Sequence, residues 1–173
     1  TKGSAAILMN IDNGNILSLV SLPDFDPNKR ENIKDKNYIN KITKGVYELG
    51  SVFKTFTLAA ALDENLIDVD TKFIDLEKSI DSAKNTIREY DKKIPKDLTA
   101  EEILIRSGNI GSVRIGQKIG VEKFKQFLTK INLINKIEFD IDEIGIPIPF
   151  KWGKCKLATT SFGHGITTTP LQL

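Results

Sequence analysis

The sequence predicts an α/β chain of the α+β kind, from three observations. An Asn13-Gly14 pair stands between two apolar runs, which is the strongest short-range hairpin signal. The stretch from Val52 to Leu62 is apolar almost all round, as a buried helix is. Thr99-Ala100-Glu101-Glu102 is a capping box, and helical periodicity follows it.

Each element can be justified in order. Ala5-Ala6-Ile7-Leu8-Met9-Asn10-Ile11 reads as a buried strand, Asp12-Asn13-Gly14-Asn15 as its turn, and Ile16-Leu17-Ser18-Leu19-Val20 as the return strand. A lone hairpin is marginal in water, so these strands require more sheet or a helix against them. Pro23 to Asn28 is a polar turn region, and the chain from there to Lys44 is a surface connection. Gly50-Ser51 is a tight turn opening into the apolar helix, which ends at Asp63-Glu64-Asn65. Residues 66–98 are weakly patterned, with Ile67, Val69, Phe73, Ile74 and Leu76 in short strands or turns. Thr99 caps a short helix through Ile103, Leu104 and Ile105 that breaks at Ser107-Gly108-Asn109. The next helix carries Ile110, Val113 and Ile119 and stops at Gly120. Val121, Phe124, Phe127, Leu128 and Ile131 mark an amphipathic helix. Residues 134–157, with Gly145, Pro147 and Pro149, read as loop with room for a short strand. Thr169-Pro170 has the form of a helix start, and the sequence is expected to be a piece of a longer protein.

At 173 residues the chain fits one domain with a real core. Its net charge of +2 and its interspersed lysines and acids exclude a general polyanion binder. The single cysteine, Cys155, excludes an internal disulfide framework and a cysteine metal cluster, and reads as a small buried hydrophobe. The single histidine, His164, argues against a histidine-based metal site and leaves a Ser-His-Asp triad open only through itself. Between two glycines it reads as a turn or packing residue. Trp152 reads as packing, and Glu101 and Glu102 as structural. No signal peptide is evident, and no apolar run is long enough to span a membrane.

The chemistry gathers at Ser51 and Lys54. Residues three apart on a helix share a face, so the two side chains can point at one spot. A lysine in apolar surroundings is costly unless it is paired or used. Desolvation and the positive end of the helix dipole both lower its pKa, and a neutral lysine can take the proton of a serine nucleophile. Free backbone N–H groups at the helix start can stabilise an oxyanion. Ser107 and Asn109 add a hydroxyl and an amide at the break between two helices. Against this stands a structural reading. Serine is favoured at helix N-caps, lysine can snorkel to water, and Ser, Gly and Asn are common at helix breaks.

These residues carry a resemblance. Ser51-Val52-Phe53-Lys54 and Ser107-Gly108-Asn109 resemble the S-x-x-K and S-x-N boxes of class B penicillin-binding protein transpeptidase domains. Ser21-Leu22-Pro23-Asp24-Phe25-Asp26-Pro27-Asn28, Leu98 to Leu104, Ser161-Phe162-Gly163-His164-Gly165 and Thr169-Pro170-Leu171-Gln172-Leu173 resemble flanking segments of the family. S-x-N and F-G-x-G look more like its cell-division type, and the position of His164 is often tyrosine there.

The resemblance implies a penicillin-binding-protein/serine β-lactamase-like transpeptidase fold, an antiparallel sheet with a helical lobe, of which residues 1–173 are a part. The K-[ST]-G box and the remaining C-terminal strands are expected beyond Leu173. It implies a peptidoglycan D,D-transpeptidase of septal wall synthesis, with Ser51 as nucleophile and Lys54 as its base. Ser107 would pass the proton on, and Asn109 would hold the substrate amide and Lys54. It implies D-Ala-D-Ala stem peptides and β-lactams as ligands and division proteins as partners. No metal or cofactor is implied, nor nucleic acid. The domain would stand on the outer, periplasmic face of the cytoplasmic membrane, anchored by a segment outside this chain. The alternatives are a β-lactam sensor domain that acylates without turnover and a vestigial structural or partner-binding domain.

Overall fold

A computed structural model of the chain describes residues 3–29, 35–82 and 85–173. In chain order its elements are β1 (Ser4–Met9), β2 (Ile16–Leu22), β3 (Tyr47–Glu48), α1 (Lys54–Asp63), β4 (Lys72–Phe73), β5 (Ser79–Ser82), β6 (Asn85–Arg88), β7 (Leu98–Thr99), α2 (Ala100–Ile105), α3 (Asn109–Ile119), α4 (Val121–Lys130), α5 (Lys154–Thr160) and β8 (Thr167–Thr168). Two compact units divide it, one of Thr1–Tyr47, Asn132–Ile148 and Thr167–Leu173, the other of Glu48–Ile131 and Pro149–Ile166. Among the described residues no helix is long and apolar enough to cross a membrane.

In the first unit β1 and β2 pair antiparallel, with Ile7 opposite Leu19. The loop between them closes through Asn10 N–H on Asn15 O at 2.9 Å and Gly14 N–H on Asn10 O at 2.8 Å. The expected hairpin is therefore present, but its burial is not. Leu8 is 59% exposed and Leu17 64%. A run of apolar residues records strand propensity; it does not say what covers the strand. The expected surface connection to Lys44 includes residues 30–34, which lie outside the described residues. The rest of this unit is tied by long-range backbone bonds, Gly145 N–H to Thr43 O at 2.7 Å and Leu171 N–H to Ile42 O at 3.1 Å. The helix start at Thr169 is met by a single capped turn, in which Gln172 N–H reaches Thr169 Oγ1 at 3.3 Å.

The second unit is helical and holds the densest core. Phe53, Ile103, Ile110, Val113, Phe124 and Leu128 are all buried. They come from the 3-10 turn Gly50–Phe53 and from α2, α3 and α4, and α1 and α5 both pack against α3. Phe53 and Phe124 meet edge to face at 6.1 Å, and Trp152 continues the stack at 6.4 Å from Phe124, a packing role as expected. The capping box is formed on both sides. Glu102 N–H reaches Thr99 Oγ1 at 3.2 Å, and Thr99 N–H reaches Glu102 Oε2 at 2.9 Å. Gly120, at φ +79°, ends α3 where expected. The weakly patterned stretch 66–98 resolves into antiparallel pairs, β4 with β7 and β5 with β6. Besides the burial of the hairpin, two expectations need correction. The loop ends at Gly153, where α5 begins, and Cys155 is exposed. Leu157, Ala158 and Thr160 take the buried stripe of that short helix, and Cys155 lies off it.

Thr99→Ala removes one half of the capping box and should cost about 1 kcal/mol. The midpoint of a urea melt at unchanged slope would show it; an unshifted midpoint would mean that the cap contributes nothing.

Candidate active site

Gly50, at φ +57°, turns the chain sharply, and Gly50–Phe53 forms a 3-10 turn that runs directly into α1. Ser51 lies exposed on that turn. Lys54 is the first residue of α1 and is only 2% exposed. Its Nζ does not snorkel outward. It donates to Ser107 O at 2.5 Å, Ser107 Oγ at 3.0 Å and Asn109 Oδ1 at 2.8 Å. An ammonium has three N–H donors, and each finds an acceptor here. The structure thus brings together Lys54, Ser107 and Asn109, and it holds Ser51 one turn ahead of Lys54 on the same helix start.

Burial lowers the Lys54 pKa from the usual 10.5 to about 8, against an opposing pull from the negative charge of Glu89. A group with that value is part neutral near physiological pH. Deprotonation changes the cage in a defined way. Ser107 O and Asn109 Oδ1 can only accept, so they keep the two remaining N–H donors. The lone pair is left facing Ser107 Oγ, the one partner in the cage that can itself donate. Lys54 and Ser107 can therefore exchange the direction of their hydrogen bond, which is the requirement for passing a proton between them.

Ser107 is placed by the end of α2. Gly108 N–H bonds to Ile103 O and Ser107 N–H to Leu104 O, both at 2.9 Å. This is the pattern of a helix closed by a left-handed residue, a position that normally holds glycine. Ser107 occupies it at φ +53°. A serine there is strained by roughly 1 kcal/mol relative to glycine. Being a common helix-break residue does not explain it, because the break favours another residue.

Asn109 opens α3, and its surroundings reveal a residue that the sequence did not flag. Glu89 follows β6 and accepts both Asn109 N–H, at 2.6 Å on Oε2, and Ile110 N–H, at 2.9 Å on Oε1. It caps the helix from 20 residues away, in place of the side chain that Gly108 lacks. Arg88 O accepts from Asn109 Nδ2 at 2.9 Å, which turns Oδ1 toward Lys54. No local signal could have found Glu89, since it sits in the weakly patterned stretch and acts through the fold.

His164 lies outside this cluster. It stacks on Phe162, and its Nδ1 is 3.4 Å from Glu48 Oε2. Burial lowers the pKa of nearby Lys156, with Glu48 opposing the shift. Among the described residues no group of three or more His, Cys, Asp and Glu is gathered as a metal ion needs.

The model of the penicillin-binding protein transpeptidase domain matches residues 4–173. The chain belongs to this family. It is 32% identical over 173 residues to a probable peptidoglycan D,D-transpeptidase FtsI of Caulobacter vibrioides, covering 99% of this chain and 29% of that protein. It is 33% identical over 176 residues to stage V sporulation protein D of Bacillus subtilis, covering 98% of this chain and 27% of the relative. The chain thus spans under a third of the length of these relatives. The transpeptidase domain of penicillin-binding protein 3 from Burkholderia pseudomallei superposes with a TM-score of 0.80, at 22% identity, over 98% of this chain and 47% of that one. A peptidoglycan glycosyltransferase from Burkholderia ambifaria superposes with a TM-score of 0.81, at 23% identity, over 98% and 50%. The penicillin-binding transpeptidase fold is shared with both. Within this family member, the segments resembling the S-x-x-K and S-x-N boxes are the ones that meet at Lys54 Nζ.

Two outcomes follow from the cage. Because burial lowers Lys54 to about 8 in the folded chain against 10.5 unfolded, the unfolded chain binds the extra proton between those values. The cost of burying the charge is present in full below pH 8, and it is relieved as pH rises from about 8 to about 10.5, so the lysine's contribution to stability improves across that window. Nitrogen-detected NMR of Lys54 Nζ should give a midpoint near 8, and Glu89→Gln should move it lower. A midpoint above 10 would contradict the desolvated site. Separately, Ser107→Gly should be more stable than Ser107→Ala by about 1 kcal/mol in denaturant melts. Equal stabilities would mean that the left-handed residue carries no strain.

Proposed function

We propose that the chain is the nucleophile-bearing part of a peptidoglycan D,D-transpeptidase domain of the cell-division type. Ser51 Oγ attacks the penultimate D-alanine carbonyl of a stem peptide while Lys54 Nζ takes its proton. The C–N bond to the terminal D-alanine breaks, and that amine leaves with a proton relayed through Ser107 Oγ. Asn109 holds the substrate amide and keeps Lys54 in place. The resulting ester on Ser51 is resolved by an amine from a neighbouring stem peptide. A new amide cross-link forms, and the serine regains its proton by the reverse relay. β-Lactams acylate the same oxygen.

The observation that carries this reading is the buried Lys54 amine, lowered to about 8 and hydrogen-bonded to both Ser107 and Asn109. A general base is most effective with a pKa near the working pH. The name of the Caulobacter relative, a probable peptidoglycan D,D-transpeptidase, supports peptidoglycan as the substrate, and the S-x-N and F-G-x-G segments support the division type. On this reading the full-length protein is anchored in the cytoplasmic membrane with this domain on the outer face, works with division proteins, and needs no cofactor.

The full-length protein incubated with a labelled penicillin should show one adduct by mass spectrometry, on the Ser51 peptide, and none in Ser51→Ala. Stem-peptide donor and amine acceptor should give a cross-linked product. A full-length protein that takes no label overturns the reading. One that takes label but forms no cross-link is a β-lactam sensor.

A further inference from the structure

The 161–165 loop is fastened around the turn that carries Ser51. Thr57 on α1 donates its hydroxyl to Ser161 O at 2.9 Å. Gly165 N–H donates to Glu48 Oε1 at 2.9 Å, and the His164 Nδ1 lies 3.4 Å from Glu48 Oε2. Lys156 Nζ donates to Gly165 O and sits 4.1 Å from the centre of the Phe150 ring. Between these fixed ends, Gly163 is pressed against Gly50. Its φ is +87°, and a Cβ built there would fall on Gly50 O.

Gly50 is the residue whose carbonyl leads into Ser51. It is also a glycine at φ +57°, free to take other conformations once its support is removed. Ser51 is exposed, and the turn that holds it has no side-chain cap. The backing of this turn comes from outside it, and Glu48 is the one charged side chain in the segment 48–51. Its Oε1 is the acceptor that holds the Gly165 N–H, so the placement of a side-chain oxygen at position 48 fixes the end of the loop.

We infer that Glu48 is a positioning residue for Ser51, acting through the Gly165 N–H to hold the 161–165 loop against Gly50. The inference rests on the transpeptidase reading of Ser51 and deepens it. Glu48 never touches the reacting atoms. It limits the conformations of the turn, and a nucleophile displaced by about 1 Å can lose on the order of 100-fold in rate. The Glu48 side chain is 45% exposed, so its removal should change global stability little while changing the rate greatly.

The test uses the full-length protein and a fluorescent penicillin, with acylation rate and saturation constant separated by stopped flow. Glu48→Ala should lower the limiting acylation rate about tenfold or more and leave the saturation constant within about threefold. Glu48→Gln keeps an oxygen acceptor for Gly165 N–H and should stay within about threefold of the unsubstituted rate. Hydrogen exchange read by mass spectrometry should quicken in the peptides covering residues 47–53 and 161–166 for Glu48→Ala, and not for Glu48→Gln. Unchanged exchange in Glu48→Ala overturns the inference, and so does an equal loss of rate in both variants. If the unsubstituted protein takes no label, the transpeptidase reading fails. The exchange comparison then still decides the clamp, since faster exchange in both peptides supports it and unchanged exchange overturns it.

Discussion

The structure of the helical unit turns on one interaction, the burial of the Lys54 amine among Ser107 O, Ser107 Oγ and Asn109 Oδ1. A lysine that is 2% exposed can be tolerated only if its donors are met. Meeting them fixes the approach of α1 to the junction between α2 and α3, 53 residues further along the chain. That junction must offer a carbonyl, a hydroxyl and an amide oxygen to one nitrogen. It does so because one helix ends and another begins there. Helix ends are the places where backbone groups lack partners inside the helix, so they are where a largely apolar core can present polar atoms to a buried charge.

The same requirement explains two departures from local preference. A helix closing in the left-handed pattern favours glycine at its final position, and the chain places Ser107 there at φ +53°. Serine, threonine, aspartate or asparagine just before a helix satisfies an open N–H with its own side chain, whereas Gly108, though tolerated at that position, leaves the first N–H groups of α3 without a local acceptor. In both cases the local loss is offset from elsewhere. Ser107 gains its bond with Lys54, and Glu89 supplies both oxygens of its carboxylate to the open N–H groups of Asn109 and Ile110. Glu89 also acts on Lys54 by its charge, opposing the desolvation that lowers the lysine. One acid thus orders the cluster and moderates its most important pKa.

How far the sequence could be read follows from the range of each interaction. The capping box, the glycine stop at Gly120 and the amphipathic α4 are set by residues within a few positions of each other, and they were legible. Lys54 was conspicuous because its type conflicts with its apolar neighbours, and its closeness to Ser107 and Asn109 was expected from a family likeness. Burial of the first hairpin is not legible in the sequence, because whether Leu8 and Leu17 are covered depends on what lies against them, and both are exposed. The exposure of Cys155 is not legible either, because the short helix it belongs to has no strong pattern around it. The role of Glu89 has no local signature, because its two acceptor bonds span 20 and 21 residues and leave no trace in local periodicity.

Family membership and site geometry bear on different questions. The match over residues 4–173 establishes the kind of domain. The geometry addresses whether this chain keeps what the chemistry requires. A vestigial site would be under no constraint to hold a strained serine or a buried lysine, since glycine at position 107 and an apolar residue at position 54 would both fold more readily. The chain retains both costly residues, and it surrounds them with Asn109, which accepts from Lys54, and Glu89, which caps α3 and faces the lysine with its charge. A strained serine and a desolvated amine held together at the junction of three helices are costs to stability, and the proton relay proposed above is a use that would offset them.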